Sequence, residues 1–136
     1  LMAEVDFVSI GSNDLFQFVM ASDRGNARIA NRFDPLSRVF LRVLRAIVVK
    51  AEAHSMPLTL CGEIAGRPLS AMALVAIGMR SISMAPSSIG PVKSMIRQLD
   101  VGELAGILLP EIDRPARDAT VRELLIEFAG KHGIQY

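Results

Sequence analysis

The hydrophobic positions along the chain follow two alternating spacings. Short apolar runs that end in a glycine or another small residue are typical of buried β-strands, and they occur at 5–11, 57–62 and 80–86. Stretches with apolar residues three and four positions apart are typical of amphipathic helices, and they occur at 35–51, 68–78 and 87–100. The pattern predicts strand, helix, strand, helix, strand, helix.

The starts of the helices are predicted from capping residues. Ser12 or Asn13 is expected to cap a short helix directly after the first strand. Asp34 is expected to cap the long helix that follows. Near the C-terminus, Thr120 and Glu123 have the spacing of a capping box.

A helical tail is predicted after residue 100. Stretches 101–110 and 118–133 again show helical spacing, and no strand pattern separates them. Because the preceding strands alternate with helices, the sheet should be parallel with helical crossovers, which is the α/β class. The carboxyl ends of parallel strands meet at one edge of the sheet, so the polar loops "GSND", "CGEIAG" and "MAPSS" should gather there.

Composition excludes several classes of function. The 136 residues are 51% hydrophobic, which is enough for one domain with a core. With 15 basic and 14 acidic residues, the net charge of +1 gives no electrostatic case for binding nucleic acid or an anionic membrane. No apolar run approaches the roughly 20 residues of a membrane span. A single cysteine cannot form an internal disulfide, so a cytoplasmic setting is expected.

The N-terminus, "LMAEVDFVSIG", has no basic region before its apolar run and enters a strand almost at once. We therefore expect it to be the middle of a chain and not a signal peptide.

Three strand-end positions could carry chemistry, and each has a structural alternative. Asn13 and Asp14 could hold a hard cation and a phosphate or carboxylate oxygen, or they could cap a helix. Arg24 could bind an anion through its guanidinium, or it could form an ordinary loop salt bridge. Cys61 could act as a nucleophile or a general acid, or it could be a buried small hydrophobic residue. Gly62 would let the backbone approach a ligand closely.

Four motifs together resemble one family. "DFVSIGSNDLFQF", "ASDRGN", "LCGEIAG" and "SISMAPSSI" resemble, in order and spacing, the C-terminal phosphoenolpyruvate-binding domain of Enzyme I, the phosphoenolpyruvate–protein phosphotransferase. The resemblance runs from about residue 5 to residue 99. Pyruvate phosphate dikinase and phosphoenolpyruvate synthase are relatives with similar motifs. The tail is less similar to the sugar-system enzyme, which favours the nitrogen-related branch.

The resemblance implies a TIM barrel that binds phosphoenolpyruvate and Mg²⁺. It implies that Asn13 and Asp14 contact the substrate, that Asp14 also binds the metal, that Arg24 binds the phosphate and that Cys61 is the catalytic acid. One departure from the family pattern is Arg67, which stands where an acidic residue is common.

The length implies that only part of a barrel is present. A (β/α)₈ barrel takes about 250 residues, so the chain should be a partial TIM barrel with about the last three βα units plus a helical tail. Residues 1–100 would belong to the barrel and 101–136 would form the tail. The resemblance places the second metal carboxylate and the phosphorylated histidine outside this chain, so the chain alone should not catalyse.

The expected partners follow from this view of the chain. The resemblance implies phosphoenolpyruvate or pyruvate as ligand and a histidine phosphocarrier protein as partner of the whole enzyme. Two open sheet edges and an apolar face left by the missing strands predict self-association as a homo-oligomer. Three alternatives stay open: a non-catalytic fragment that only self-associates or binds a partner, a fragment of a dikinase or synthase relative, and a different α/β enzyme that uses Cys61 as nucleophile.

Overall fold

The structure, a computed structural model, describes residues 4–22, 34–115 and 120–136. Within these ranges it contains three strands, which are β1 (Val8–Gly11), β2 (Leu58–Cys61) and β3 (Ile82–Ser83). Its α-helices are α1 (Ser12–Met20), α2 (Arg38–Ala53), α3 (Pro68–Ala76), α4 (Pro86–Gln98), α5 (Val101–Asp113) and α6 (Arg122–Lys131). A 3₁₀ turn at Glu63–Gly66 joins β2 to α3.

The strands form one parallel sheet in the order β1-β2-β3. Gly11 is paired with Cys61, and Cys61 is paired with Ser83, so the last residues of the three strands lie side by side. This confirms the predicted α/β class. β3 has only two residues, much shorter than the predicted run 80–86. The described part of the chain is a mixed α/β structure compatible with part of an α/β barrel.

The two faces of the sheet differ in chemistry. Ile10 and Leu60 are buried in the core on the side of the helices. Because successive side chains of a strand point to opposite faces, Ser9 and Thr59 lie on the other face. There the Thr59 hydroxyl donates to Ser81 Oγ at 3.0 Å. Hydroxyl groups therefore occupy part of the face that was expected to be apolar.

The C-terminal helices complete the same core as the βα units. Helix α3, which is apolar on nearly all sides, is buried along almost its whole length and packs against α4, α5 and α6. Leu104 and Leu108 of α5 and Leu125 of α6 are fully buried in the core cluster that also contains Leu60. No helix in the three described ranges is both long and apolar enough to cross a membrane.

The predicted helix caps are mostly wrong. Helix α2 begins at Arg38, and its cap is Ser37, whose Oγ accepts a hydrogen bond from the Phe40 N–H at 3.3 Å. Asp34 instead accepts from the Leu36 N–H and pairs with Arg122. This three-residue offset arises because both Asp34 and Ser37 can cap a helix, and tertiary contacts select between them.

The two other caps also differ from the prediction. Helix α1 starts directly after Gly11, with no side-chain cap from Ser12 or Asn13. At α6 the cap position is Val121, and Thr120 Oγ1 accepts from the Arg122 N–H and not from that of Glu123. The predicted capping box is therefore replaced by contacts of Thr120 with the start of α2.

Candidate functional site

The candidate site lies at the carboxyl ends of the three strands. Gly11, Cys61 and Ser83 are neighbours in the register, and adjacent strands lie about 4.8 Å apart. Each strand is followed within two residues by a helix or a 3₁₀ turn, so the residues after the strands also collect at this edge. This register agrees with the prediction from sequence that the three polar loops share one edge of the sheet.

Asn13 and Asp14 are the second and third residues of α1. Asn13 is half-buried, and its Oδ1 lies 3.4 Å from the point where a Cβ on Gly62 would stand, so the amide faces the loop that follows Cys61. Asp14 is exposed, and Gln17 Nε2 donates to its Oδ1 at 3.5 Å. Neither side chain caps the helix, so the alternative of a capping role is wrong for this pair.

Ser12 and Gly62 bring the first two loops into close contact. Gly62 has φ 131° and ψ 178°, a conformation that is essentially restricted to glycine. A Cβ at this position would stand 2.2 Å from Ser12 Oγ, which is far inside contact distance. Ser12 is fully buried, and its hydroxyl has no hydrogen-bond partner within the described structure. Among the described residues, the close neighbour that the missing Gly62 side chain admits is Ser12 of α1.

Cys61 is a free, half-buried cysteine that lines an open cavity of about 450 Å³. The cavity extends from the thiol across the 3₁₀ turn to the start of α4 and is lined by Cys61, Gly62, Glu63, Gly66, Arg67, Ser83, Met84, Ala85 and Ser88. A volume of this size is sufficient for a small ligand. The thiol is therefore accessible from a cavity and is not a fully buried core residue.

Sequence reasoning missed the polar lining of this cavity. Ser83 and Ser88 were not proposed as site residues, yet both hydroxyl side chains line it. Ser88 reaches the site because Gly66 has no side chain: a Cβ there would stand 2.8 Å from Ser88 Oγ. The exposed Glu63 and Arg67 give the rim one negative and one positive charge. The signal that could have found the serines is their position at the end of the third strand and in the first turn of the helix that follows it.

The metal ligands available here are few. Within the described ranges there is no cluster of three or more His, Cys, Asp or Glu side chains that could hold a metal ion. Asp14 and Asn13 offer a carboxylate and an amide oxygen, which are the hard ligands that Mg²⁺ takes. Because Mg²⁺ is often held by one or two carboxylates together with water and substrate phosphate, these residues fit one part of such a site.

The structure brings Asn13, Asp14 and Cys61 to one end of the sheet. Arg24 lies outside the described residues, so its predicted role stays a prediction. His54 follows the C-terminal end of α2, and His132 stacks on Phe128 and pairs with Glu103. Neither histidine lines the cavity at Cys61, which removes support for a Cys–His nucleophile among the described residues.

A thiol, a carboxylate and a carboxamide at the ends of parallel strands make this an α/β protein with a candidate ligand site at its strand ends. The sequence model of the family described as "PEP-utilising enzyme, PEP-binding domain" matches residues 1–101. The chain belongs to this family. The match contains all the predicted site residues and ends at the start of α5.

Curated relatives agree with the family. A protein of Escherichia coli (strain K12) named "Phosphoenolpyruvate-dependent phosphotransferase system" is 38% identical over 135 residues, which is 98% of this chain and 18% of the relative. A "Phosphoenolpyruvate-protein phosphotransferase" of Bacillus sp. (strain S) is 39% identical over 104 residues, covering 76% of this chain and 18% of the relative. "Multiphosphoryl transfer protein 1" of E. coli K12 is 41% identical over 97 residues, which is 71% of this chain and 12% of the relative.

The chain thus spans less than a fifth of the length of each of these relatives. The match to the first of them includes nearly the whole chain, so it extends through the C-terminal helices α5 and α6.

Proposed function

We propose that this chain forms part of the phosphoenolpyruvate-binding face of a phosphoenolpyruvate–protein phosphotransferase. The observation that carries the proposal is the register that pairs Gly11 with Cys61, because it places the Asn13–Asp14 pair and the thiol at one edge of the sheet. Membership of the family and the names of the relatives support the same substrate.

The substrate would be held between α1 and the loop after β2. Asn13 would donate its amide hydrogens to a phosphate or carboxylate oxygen, and the uncapped first turn of α1 would place backbone N–H groups nearby. Arg24 would clamp the phosphate through its guanidinium. The cavity of about 450 Å³ beside Cys61 is open enough for the three-carbon part of the substrate.

Cys61 would act as a general acid after phosphoryl transfer. The P–O bond of phosphoenolpyruvate breaks as the phosphoryl group bonds to a histidine nitrogen of the whole enzyme, and pyruvate enolate is left. The Cys61 S–H bond then breaks as its proton bonds to the enolate CH₂ carbon and gives pyruvate. The resulting thiolate takes a proton from water before the next turnover.

A magnesium ion fits this chemistry. When bound, Mg²⁺ would offset the negative charge on the phosphate and enolate oxygens. Asp14 would be one of its carboxylate ligands, and its exposed position next to Asn13 leaves the carboxylate free to reach a ligand. We expect a second carboxylate from the part of the protein outside this chain.

The finer features of the protein are part of the same proposal. The parallel sheet with helices on one side would be the last part of a TIM barrel, with 1–100 in the barrel and 101–136 as its tail. Among the described residues β1 and β3 each pair on one side only, which supports closure by further strands or self-association as a homo-oligomer. The phosphoryl group would pass to a histidine phosphocarrier protein in the cytoplasm.

Replacement of the thiol in the complete enzyme tests this function. In Cys61→Ala and Cys61→Ser, release of pyruvate from phosphoenolpyruvate should fall by at least about 100-fold, the usual contribution of a general acid. Binding of phosphoenolpyruvate, measured by calorimetry, should persist. Thr59→Ser is the matched control, since Thr59 lies on the same strand and face as Cys61 and two residues before it. Near-normal pyruvate release by Cys61→Ala would remove the assignment.

A further inference from the structure

The C-terminal helix is tied to the start of α2 by a compact polar cluster. Arg122 donates from Nε to Asp34 Oδ2 at 2.7 Å and from Nη2 to Asp34 Oδ1 at 2.8 Å, which is a two-pronged ion pair. Thr120 Oγ1 donates to Asp34 Oδ2 at 3.0 Å, and the Val121 N–H donates to the Leu36 carbonyl at 3.0 Å. Asp34, Leu36, Thr120, Val121 and Arg122 are called the Asp34 cluster below.

The ionisation of the cluster agrees with its geometry. Burial raises the pKa of Asp34, but hydrogen bonds from Arg122, the Leu36 N–H and Thr120 outweigh burial, and the net pKa lies below its usual value. The hydrogen bond to Asp34 raises the pKa of Arg122. The pair is therefore fully charged near neutral pH, and bidentate pairs of this kind fix geometry as well as energy.

The cluster is connected to α1 through described contacts. Ser37 directly follows Leu36, caps α2, and donates from Oγ to Met20 Sδ at 3.9 Å at the end of α1. Phe40, in the first turn of α2, is fully buried and packs edge-on against Phe16 of α1, with ring centroids 5.0 Å apart. The position of the start of α2 therefore determines what α1 packs against.

Helix α1 also packs on the 3₁₀ turn and on β1, and Ser12 at its start is in close contact with Gly62. No side chain in the described part of the chain caps its start. It is also the helix that carries Asn13 and Asp14. Thr120 and Arg122 lie beyond residue 101, where the match to the family ends.

We propose that Arg122 is a positioning residue for the strand-end site: through Asp34 and the Phe40–Phe16 contact it holds α1, and with it Asn13 and Asp14, in place. The effect on Asn13, Asp14 and the substrate rests on the proposed function, whereas the effect of Arg122 on the placement of α1 is independent of it. A physical chain of contacts suggests coupling, and only a measured response of α1 demonstrates it.

Hydrogen exchange tests the placement of α1 without any substrate. In Arg122→Gln and in Asp34→Asn, the amides of residues 16–20 in α1 should exchange about tenfold faster, which corresponds to about 1.4 kcal/mol. The buried helix α3 should keep its exchange rates. Arg114→Gln is the matched control: Arg114 belongs to the same tail, its side chain is 70% exposed, and its one ion pair within the described ranges is with Glu111. It should leave α1 unchanged.

Kinetics of the complete enzyme test the consequence for the substrate. In Arg122→Gln the KM for phosphoenolpyruvate should rise about tenfold while kcat changes less than about twofold, because binding groups on α1 are displaced and Cys61 is not. Arg122→Lys should recover part of the loss, since it restores the charge but not the two-pronged geometry. The double variant with Asp34→Asn should be no worse than either single variant.

Each outcome gives a decision. Unchanged exchange of α1 in both Arg122→Gln and Asp34→Asn overturns the proposal, whatever the kinetics. Faster exchange of α1 and α3 alike also overturns it, because that is general destabilisation. If α1 alone responds and KM does not, the positioning of Asn13 and Asp14 is overturned. If the unaltered enzyme does not consume phosphoenolpyruvate, the proposed function fails, and the exchange experiment still decides the placement of α1.

Discussion

Gly62→Ala should be strongly destabilising, because two separate costs act at this residue. The backbone of Gly62, with φ 131° and ψ 178°, lies in a region where a residue with a Cβ is strained by about 1–3 kcal/mol. The new Cβ would also stand 2.2 Å from Ser12 Oγ, and overpacking of this kind costs about 1–3 kcal/mol. The expected loss is the sum, about 2–6 kcal/mol, out of a typical domain stability of 5–15 kcal/mol.

A second substitution separates the two costs. Ser12 Cβ lies 3.5 Å from the same point, which is ordinary contact, so Ser12→Ala removes the clash and leaves the backbone strain. Ser12→Ala by itself should be neutral or stabilising, since it deletes a buried hydroxyl without a partner. The double variant should therefore be more stable than Gly62→Ala by about 1–3 kcal/mol.

Urea unfolding followed by circular dichroism measures these free energies. Gly106→Ala is the matched control: Gly106 lies inside α5 with nothing within 4 Å of its Cβ position, so the change should stabilise the helix by about 0.5–1 kcal/mol. If Gly62→Ala unfolds within about 0.5 kcal/mol of the unaltered protein, the argument from backbone and contact is refuted. If Ser12→Ala gives no rescue, the contact is not the cause.

Three further outcomes are expected. The pKa of Asp34 is lowered in the folded state, so the stabilisation from its carboxylate is present above the unfolded pKa and is lost as the pH falls. Below about pH 4 the unaltered protein should therefore lose more unfolding free energy than Asp34→Asn. Equal losses in the two proteins would contradict this. Leu104→Ala, in the tail, should cost about 2–5 kcal/mol in urea unfolding because Leu104 is fully buried; a loss below about 1 kcal/mol would mean the tail is not part of the core. Light scattering should find the purified chain associated, since Phe7 and Phe18 are exposed at 69% and 85%; a monomer would count against self-association.

The order of elements and the parallel sheet were predictable from spacing alone. Apolar runs of six or seven residues between helical patterns leave little choice other than strands with helical crossovers, and the strand ends then share an edge. For this reason Asn13, Asp14 and Cys61 could be placed together before any coordinates. The spacing does not predict the chemistry of those residues, and only the resemblance to a family indicates it.

The helix starts and the packing of the tail were not predictable, because both depend on distant partners. Asp34 looks like a cap in the sequence, but Arg122, 88 residues away, takes its carboxylate. Thr120 looks like the start of a capping box, but its hydroxyl reaches Asp34 and Leu36. A local pattern records which bonds a side chain can form and does not record which partner the fold supplies.

The contact between Ser12 and Gly62 was also not predictable from the sequence. A glycine after a strand can serve a ligand, a turn or a neighbouring loop, and the sequence does not separate these uses. The polar lining of the cavity by Ser83 and Ser88 was missed for related reasons: a serine in a strand is usually interpreted as part of the sheet, and a serine near a helix start as a cap.

The face of the sheet that bears Ser9, Thr59 and Ser81 presents hydroxyl groups and little apolar surface at these positions. Strands that pair with the edges of β1 and β3 would gain directional hydrogen bonds on this face, whereas hydrophobic contact would come from the face under the helices, where Ile10 and Leu60 are buried. A strand aligned out of register would lose the directional bonds on the hydroxyl face.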